Sequence, residues 1–184
     1  MGHIAVAYLC LVIADQYREV NQPDGMAVLI VTFGALFPDL VDKPLAWYFG
    51  MLPSGRSLAH SFVVLVPLCV IVIAIARRKG RTWWGLAFGI GVISHALLDA
   101  LPALWREDSS VSFLLYPILG VEEYGEEGPP TVWGLLLNSL HDPYFLIEFP
   151  LLAVAAIVWY REGKPGLSII HRWIATVRRI GRSL

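Results

Sequence analysis

Charge is what this chain has least of. Only 16% of its 184 residues are Asp, Glu, Lys or Arg, against 57% hydrophobic residues and a mean hydropathy of +0.62. Ordinary soluble domains of this size are far more polar, so the composition excludes that class and points to a bilayer as solvent. Cysteine is also scarce: Cys10 and Cys69 are the only two, and both lie in apolar runs. Buried free cysteine behaves as a small hydrophobe, which leaves out a disulfide and a thiolate zinc site. The first apolar stretch has no basic leader and no small-residue cleavage site, and is expected to be a retained helix rather than a signal peptide. Ser57 and Ser61 have no nucleophile-elbow setting, so serine catalysis is a minor alternative. No internal repeat or low-complexity segment is present, and nothing calls for a nucleic-acid partner.

What charge there is falls in patches. Arg77, Arg78, Lys79 and Arg81 share one loop, while Glu122, Glu123, Glu126 and Glu127 share another. Crossing a hydrocarbon core takes about 20 apolar residues as helix. Leu58 to Ala76, Trp83 to Leu104 and Pro143 to Tyr160 meet or approach that length, and the shorter stretches Ile4 to Ala14 and Met26 to Phe37 fit short or tilted spans. The expectation is an all-α, polytopic bundle of about five spans. Trp105 to His141 reads as an external loop with interfacial helices at Phe113 to Leu119 and Val132 to Leu140. Counting Lys and Arg in short loops puts the Arg77 to Arg81 turn and the tail after Tyr160 in the cytoplasm, with the N-terminus outside the cell membrane. Residues 1–163 then form a transmembrane domain and residues 164–184 a basic cytoplasmic tail. In that tail Ile170, Trp173, Ile174, Val177 and Ile180 recur at helical spacing opposite Arg172, Arg178, Arg179 and Arg182, as in an amphipathic helix lying on anionic lipid. A helix packed on its own protein is the alternative.

With orientation set by arginines alone, the other ionisable groups gather at the outer side. His3 starts the first span, Asp39 and Asp42 follow the second, His60 starts the third, and His95 and Asp99 lie in the outer half of the fourth. His141, Asp142 and Glu148 border the fifth. Ionisable groups cost several kcal/mol in hydrocarbon unless paired, hydrated or metal-bound, so a cluster at one depth is a functional-site hypothesis. His171 falls on the wrong side.

His95-Ala-Leu-Leu-Asp99 is the most specific local signal, because i and i+4 on a helix share a face and can close on one ion or on neighbouring ions. Imidazole with carboxylate suits zinc first, with manganese or iron as alternatives. A structural His–Asp pair joining two helices is the other reading. Gly85, Gly89 and Gly91 would let a neighbouring helix approach closely. In Phe37-Pro38-Asp39-Leu40-Val41-Asp42-Lys43-Pro44 the prolines are expected to bracket a turn or short helix with both carboxylates facing one way. Asp39 is a ligand candidate or a helix cap. Asp42 can ligate, pair with Lys43, or orient a liganding histidine. In Gly55-Arg56-Ser57-Leu58-Ala59-His60-Ser61, His60 is a ligand candidate, and Arg56 can clamp an anionic oxygen or simply snorkel. The metal candidates are therefore His3, Asp39, His60, His95 and Asp99, and the candidates for catalytic roles are Asp42, Arg56 and Glu148, the last as ligand or general base.

The order His3, Pro38-Asp39 with Asp42, Arg56-Ser57-Leu58-Ala59-His60-Ser61 and His95-Ala-Leu-Leu-Asp99 resembles the YdjM-type family of membrane-bound metal-dependent hydrolases, from the N-terminus to about Leu101. The common family pattern Pro-Asp-x-Asp has one residue fewer than this chain between Asp39 and Asp42. The ordered Asp, His, His-x-x-x-Asp set is also similar to part of the zinc site of bacterial phospholipase C enzymes, which are all-helical. These resemblances imply phosphoester hydrolysis with a metal-activated water. An outer-interface site favours lipid or lipid-linked substrates. A transporter using the same groups as a proton or ion path, or a membrane scaffold with a structural metal, are the rival classes.

Overall fold

The structure, a computed structural model, describes residues 2–19, 23–104, 110–121 and 143–180, with the side chains of the last segment from Glu148 onward. It is all-helical among the described residues: α1 (Gly2–Tyr17), α2 (Gly25–Trp47), α3 (Phe62–Arg78), α4 (Thr82–Ala100), α5 (Pro143–Arg161) and α6 (Leu167–Ile180), with short 3-10 turns at Leu101–Leu104 and Ser112–Leu115. Asp24 caps α2 by accepting from the Met26 amide, and Ser61 caps α3 through Val63. Gly80, at a φ of 67°, turns the chain from α3 into the Arg81 entry to α4.

Five spans are not supported. Among the described residues two helices, Gly25–Trp47 and Thr82–Leu104, are long and apolar enough to cross a membrane. At 1.5 Å per residue each reaches about 34 Å, against a core of about 30 Å. The apolar run from Leu58 shortens because residues 58–61 belong to a turn, which leaves α3 with 17 residues. α1 has 16 residues and is also short. The expected interfacial helix at Phe113 to Leu119 is one 3-10 turn, and Val132 to Leu140 lies outside the described residues.

α2 differs from expectation in the opposite sense. Pro38 and Pro44 do not bracket a turn; both sit inside one 23-residue helix. An interior proline removes an amide and crowds the preceding turn. In a membrane protein a neighbouring helix can re-satisfy the loosened carbonyls, and here His95 Nδ1 on α4 lies 2.6 Å from the Ala35 carbonyl. α2 and α4 run parallel and touch backbone to backbone. A Cβ at Gly91 would lie 2.5 Å from the Val31 carbonyl oxygen, and one at Gly34 would lie 2.7 Å from that of Phe88. Gly85 meets Ile73 of α3 in the same way, with 2.8 Å to its Cα, whereas Gly89 has only Cys69 Sγ at 3.7 Å. Two of the three glycines in α4 are thus close-approach positions.

Around this axis Ala5, Leu11, Val31, Ala35 and Ala87 form one apolar core, which Ala155 of α5 joins. Leu65, Cys69, Phe88, Val92 and Ala96 form a second between α3 and α4. Both cysteines are free.

Candidate metal centre

Contacts along the bundle set the helix directions: His3 meets Asp99 while Arg18 stacks on Trp83, so α1 runs antiparallel to α4. α3 does too. The start of α1, the later part of α2, the turn before α3 and the later part of α4 therefore share one end, and this topology brings His3, Asp39, His60, His95 and Asp99 together.

His60 and His95 form the centre, each almost completely buried. Their Nε2 atoms are 3.1 Å apart. His60 Nδ1 donates to Asp42 Oδ2 at 2.8 Å, and His95 Nδ1 to the Ala35 carbonyl at 2.6 Å. Both partners accept only, so each Nδ1 carries the proton and a neutral ring leaves a lone pair on each Nε2. Two carboxylates point at the same place. Asp39 Oδ1 is 3.5 Å from His60 Nε2 and 3.7 Å from His95 Nε2; Asp99 Oδ2 is 3.3 Å and 3.6 Å from the same atoms. Ligands about 2.0–2.1 Å from a tetrahedral ion are about 3.3 Å from one another. The donor separations of 3.1 to 3.7 Å bracket that value.

Among the described residues two triads of ligand atoms could hold a metal ion: Asp39, His60 and His95, and His3, His95 and Asp99. His95 is common to both, and one Nε2 serves one ion. His3 stacks on His95 with ring centroids 4.1 Å apart, and its Nε2 lies 3.1 Å from Asp99 Oδ1. His3 is thus positioned either to ligate or to hold Asp99.

Asp42 stands behind His60 and is fully buried. Its Oδ1 accepts from the Ala59 amide and its Oδ2 from the Ser57 amide, each at 2.8 Å, besides the bond to His60. With both oxygens occupied it orients the imidazole and has no surface for a substrate, the usual arrangement of carboxylate behind liganding histidine. Lys43 pairs with Asp39 rather than Asp42, at 2.7 Å. Residues 52–57 are bends, not helix, and Arg56 reaches Asp99 Oδ2 through Nε at 3.2 Å with 55% of its side chain exposed. Glu148 packs on the first turn of α1, where a Gly2 Cβ would lie 3.1 Å from its Oε1; it belongs to neither ligand triad. His141 and Asp142 lie outside the described residues. The Ser61 hydroxyl is engaged with the Tyr116 carbonyl at 2.5 Å, which draws the 110–121 segment over the site, with the buried Phe113 ring against His60.

Burial opposes a charge on His60, but hydrogen bonds to Asp39, Asp42 and Asp99 outweigh it and push its pKa up to about 10. Below that pH the metal-free centre therefore holds a proton on His60, at the position a metal would take.

Sequence reasoning had no means of finding the Ala35 carbonyl or the Ser57 and Ala59 amides, because backbone groups carry no residue signature. Pro38, which loosens the ladder next to Ala35, is the nearest clue.

Helices long and apolar enough to cross a membrane, with a buried histidine–carboxylate centre at one end of the bundle, are the marks of a membrane protein with a candidate metal site. The chain belongs to the YdjM inner membrane protein family, whose sequence profile matches residues 1–162. Comparison with curated proteins and with solved structures gives no match.

Proposed function

We propose that this protein is a membrane-embedded, metal-dependent hydrolase that cleaves a phosphoester of a lipid or lipid-linked substrate with water as nucleophile. The observation that carries the reading is that the Nε2 atoms of His60 and His95, each ring already committed through Nδ1, lie 3.1 Å apart and within 3.7 Å of a carboxylate oxygen from both Asp39 and Asp99. Such a donor set suits zinc, with manganese and iron as the alternatives. A divalent ion there supplies Lewis acidity, making water a usable nucleophile near neutral pH and polarising a phosphoryl oxygen.

The chain's own residues divide the remaining work. Asp39, His60 and His95 would hold the ion, with Asp99 beside them and His3 as a further ligand or as the group that steadies Asp99. Asp42 fixes the His60 ring. Arg56, more than half exposed beside Asp99, is available to take a phosphoryl oxygen in two hydrogen bonds. Glu148, next to the first turn of α1, is the carboxylate we assign to proton transfer from the attacking water.

The opposite end of the bundle carries Arg77, Arg78, Lys79 and Arg81, so the positive-inside rule supports a cytoplasmic face there and the centre on the outer side. Lipid head groups lie at that depth.

The test is metal content by mass spectrometry on detergent-purified protein, wild type beside His95→Ala and Asp99→Ala, followed by phosphate release from phospholipid and lipid-linked phosphoesters. Stoichiometric metal that both variants lose, with hydrolysis that follows it, is the expected result. Absence of metal after reconstitution with zinc, manganese and iron overturns the reading. Tightly held metal without hydrolysis makes the site structural, and metal uptake into proteoliposomes makes the protein a transporter.

A further inference from the structure

α6 takes no part in the metal centre. It has no acidic residue, and it carries Arg172, Arg178 and Arg179. At 100° per residue Ile170, Trp173, Ile174 and Val177 fall on one face, and Arg172 and Arg179 on the other. No residue of α6 is buried. Trp173 is 68% exposed and Val177 49%. A helix of this kind is too polar to span a bilayer and too apolar on one side to stay in water.

The start of α6 is fixed. A Cβ on Gly25 would lie 2.7 Å from the Gly166 amide nitrogen, so the elbow before α6 presses on the first residue of α2. Gly163 and Gly166 supply the positive φ angles of that elbow, 77° and 89°, and Trp159 of α5 donates to the Pro165 carbonyl at 3.1 Å. α6 therefore leaves the bundle at the end where α2 begins and α3 ends, the end of Arg77 and Arg78. Trp84, which donates to Asp24 at 2.5 Å, and the Arg18–Trp83 and Arg81–Trp84 stacks mark the same level. Tryptophans and arginines at one level of a membrane protein mark the head-group boundary.

We infer that α6 is a lipid-docking helix that lies in the bilayer interface at this end, with Ile170, Trp173, Ile174 and Val177 in the acyl boundary and its arginines on anionic head groups. Charge decides the occupant. A second copy of α6 would bring like charges together, whereas an anionic lipid surface complements both faces at once. The inference does not depend on the chemistry at the metal centre, since the two lie at opposite ends.

The test uses the full chain in nanodiscs of phosphatidylcholine, with and without phosphatidylglycerol. Spin labels are placed at Val177→Cys on the apolar face and Ala175→Cys on the polar face, after Cys10→Ala and Cys69→Ala. The label at 177 should be accessible to oxygen and shielded from a water-soluble relaxant in the anionic discs, and the label at 175 the reverse. Each basic residue near an anionic surface contributes about fivefold, so the variant Arg172→Gln/Arg178→Gln/Arg179→Gln should shift the docking equilibrium by on the order of a hundredfold. In the unaltered protein, trypsin cleavage after Arg178 and Arg179, followed by mass spectrometry, should slow when phosphatidylglycerol is added. This second measurement needs no substitution and leaves the fold untouched. Water exposure of the 177 label in both lipids, or cleavage rates that ignore phosphatidylglycerol, overturns the inference. So does a 177 label held equally rigid in detergent and in discs, which would mean a protein partner.

Discussion

The two ends of the bundle use similar residues in contrasting ways. At one end Asp42 is fully buried with three donors on its two oxygens, and both ring nitrogens of His60 and of His95 face a named partner. At the other, Asp15 is also buried, but Arg18 satisfies only one of its oxygens, at 2.9 Å, and Oδ2 has no hydrogen-bond partner among the described residues. Arginines there lie on tryptophan rings, Arg18 at 3.9 Å and Arg81 at 4.1 Å. Burial of a carboxylate alone does not mark a site. What distinguishes the His60–His95 end is that each Nδ1 is engaged while both Nε2 atoms and two carboxylates face one another, an arrangement that suits a cation.

The strongest way to break this comparison is to remove a converging donor. His60→Ala and His95→Ala should each abolish stoichiometric metal, read by mass spectrometry after dialysis, while the helical circular dichroism persists. Asp42→Asn keeps the shape but weakens the anchor of the His60 ring, and metal affinity should fall roughly 10–100-fold in a chelator competition. If Asp42→Asn instead matches His60→Ala, Asp42 is itself a ligand.

A proton competes for the same position. In the metal-free protein the His60 pKa lies near 10 rather than 6.5, because the bonds to its carboxylates outweigh the effect of burial. The stabilisation this gives is complete below pH 6.5 and lost as pH rises through 10. Melting of the metal-free protein should show that loss, while metal affinity should rise about tenfold per pH unit over the same window, since binding releases the proton.

Packing gives a smaller contrast. Gly91→Ala forces the new methyl into α2 backbone and should cost about 1–3 kcal/mol in thermal unfolding. Gly89→Ala, with only a sulfur at 3.7 Å, should be neutral or stabilise by up to about 1 kcal/mol. Least of all, Asp15→Asn should leave metal content unchanged; a loss would mean that the two ends are coupled.

Much of the site was legible because its cues are local. The i, i+4 spacing of His95 and Asp99, and the alternation of helix direction fixed by Arg77 to Arg81, suffice to gather His3, Asp39, His60, His95 and Asp99 at one end. The number of spans was not legible, because hydropathy adds Leu58 and Ala59 to a helix that begins only at Phe62. Nor was the path of α2. Pro38 and Pro44 are breakers by propensity, and the His95 bond to the Ala35 carbonyl, which supports the helix beside Pro38, comes from across the interface. Asp42 could be read three ways because its role depends on amides 15 and 17 residues away.

The contact between Gly34 and Gly91 also acts as a register lock. With no side chain between α2 and α4 at that crossing, the backbones mesh directly there, and sliding one past the other by a single residue would move the ligands about 1.5 Å. A slip of that size exceeds the whole 3.1 to 3.7 Å spread of the donor separations. The calibration of the centre is therefore set several residues away from it, at a point where two glycines leave the helices no choice of alignment.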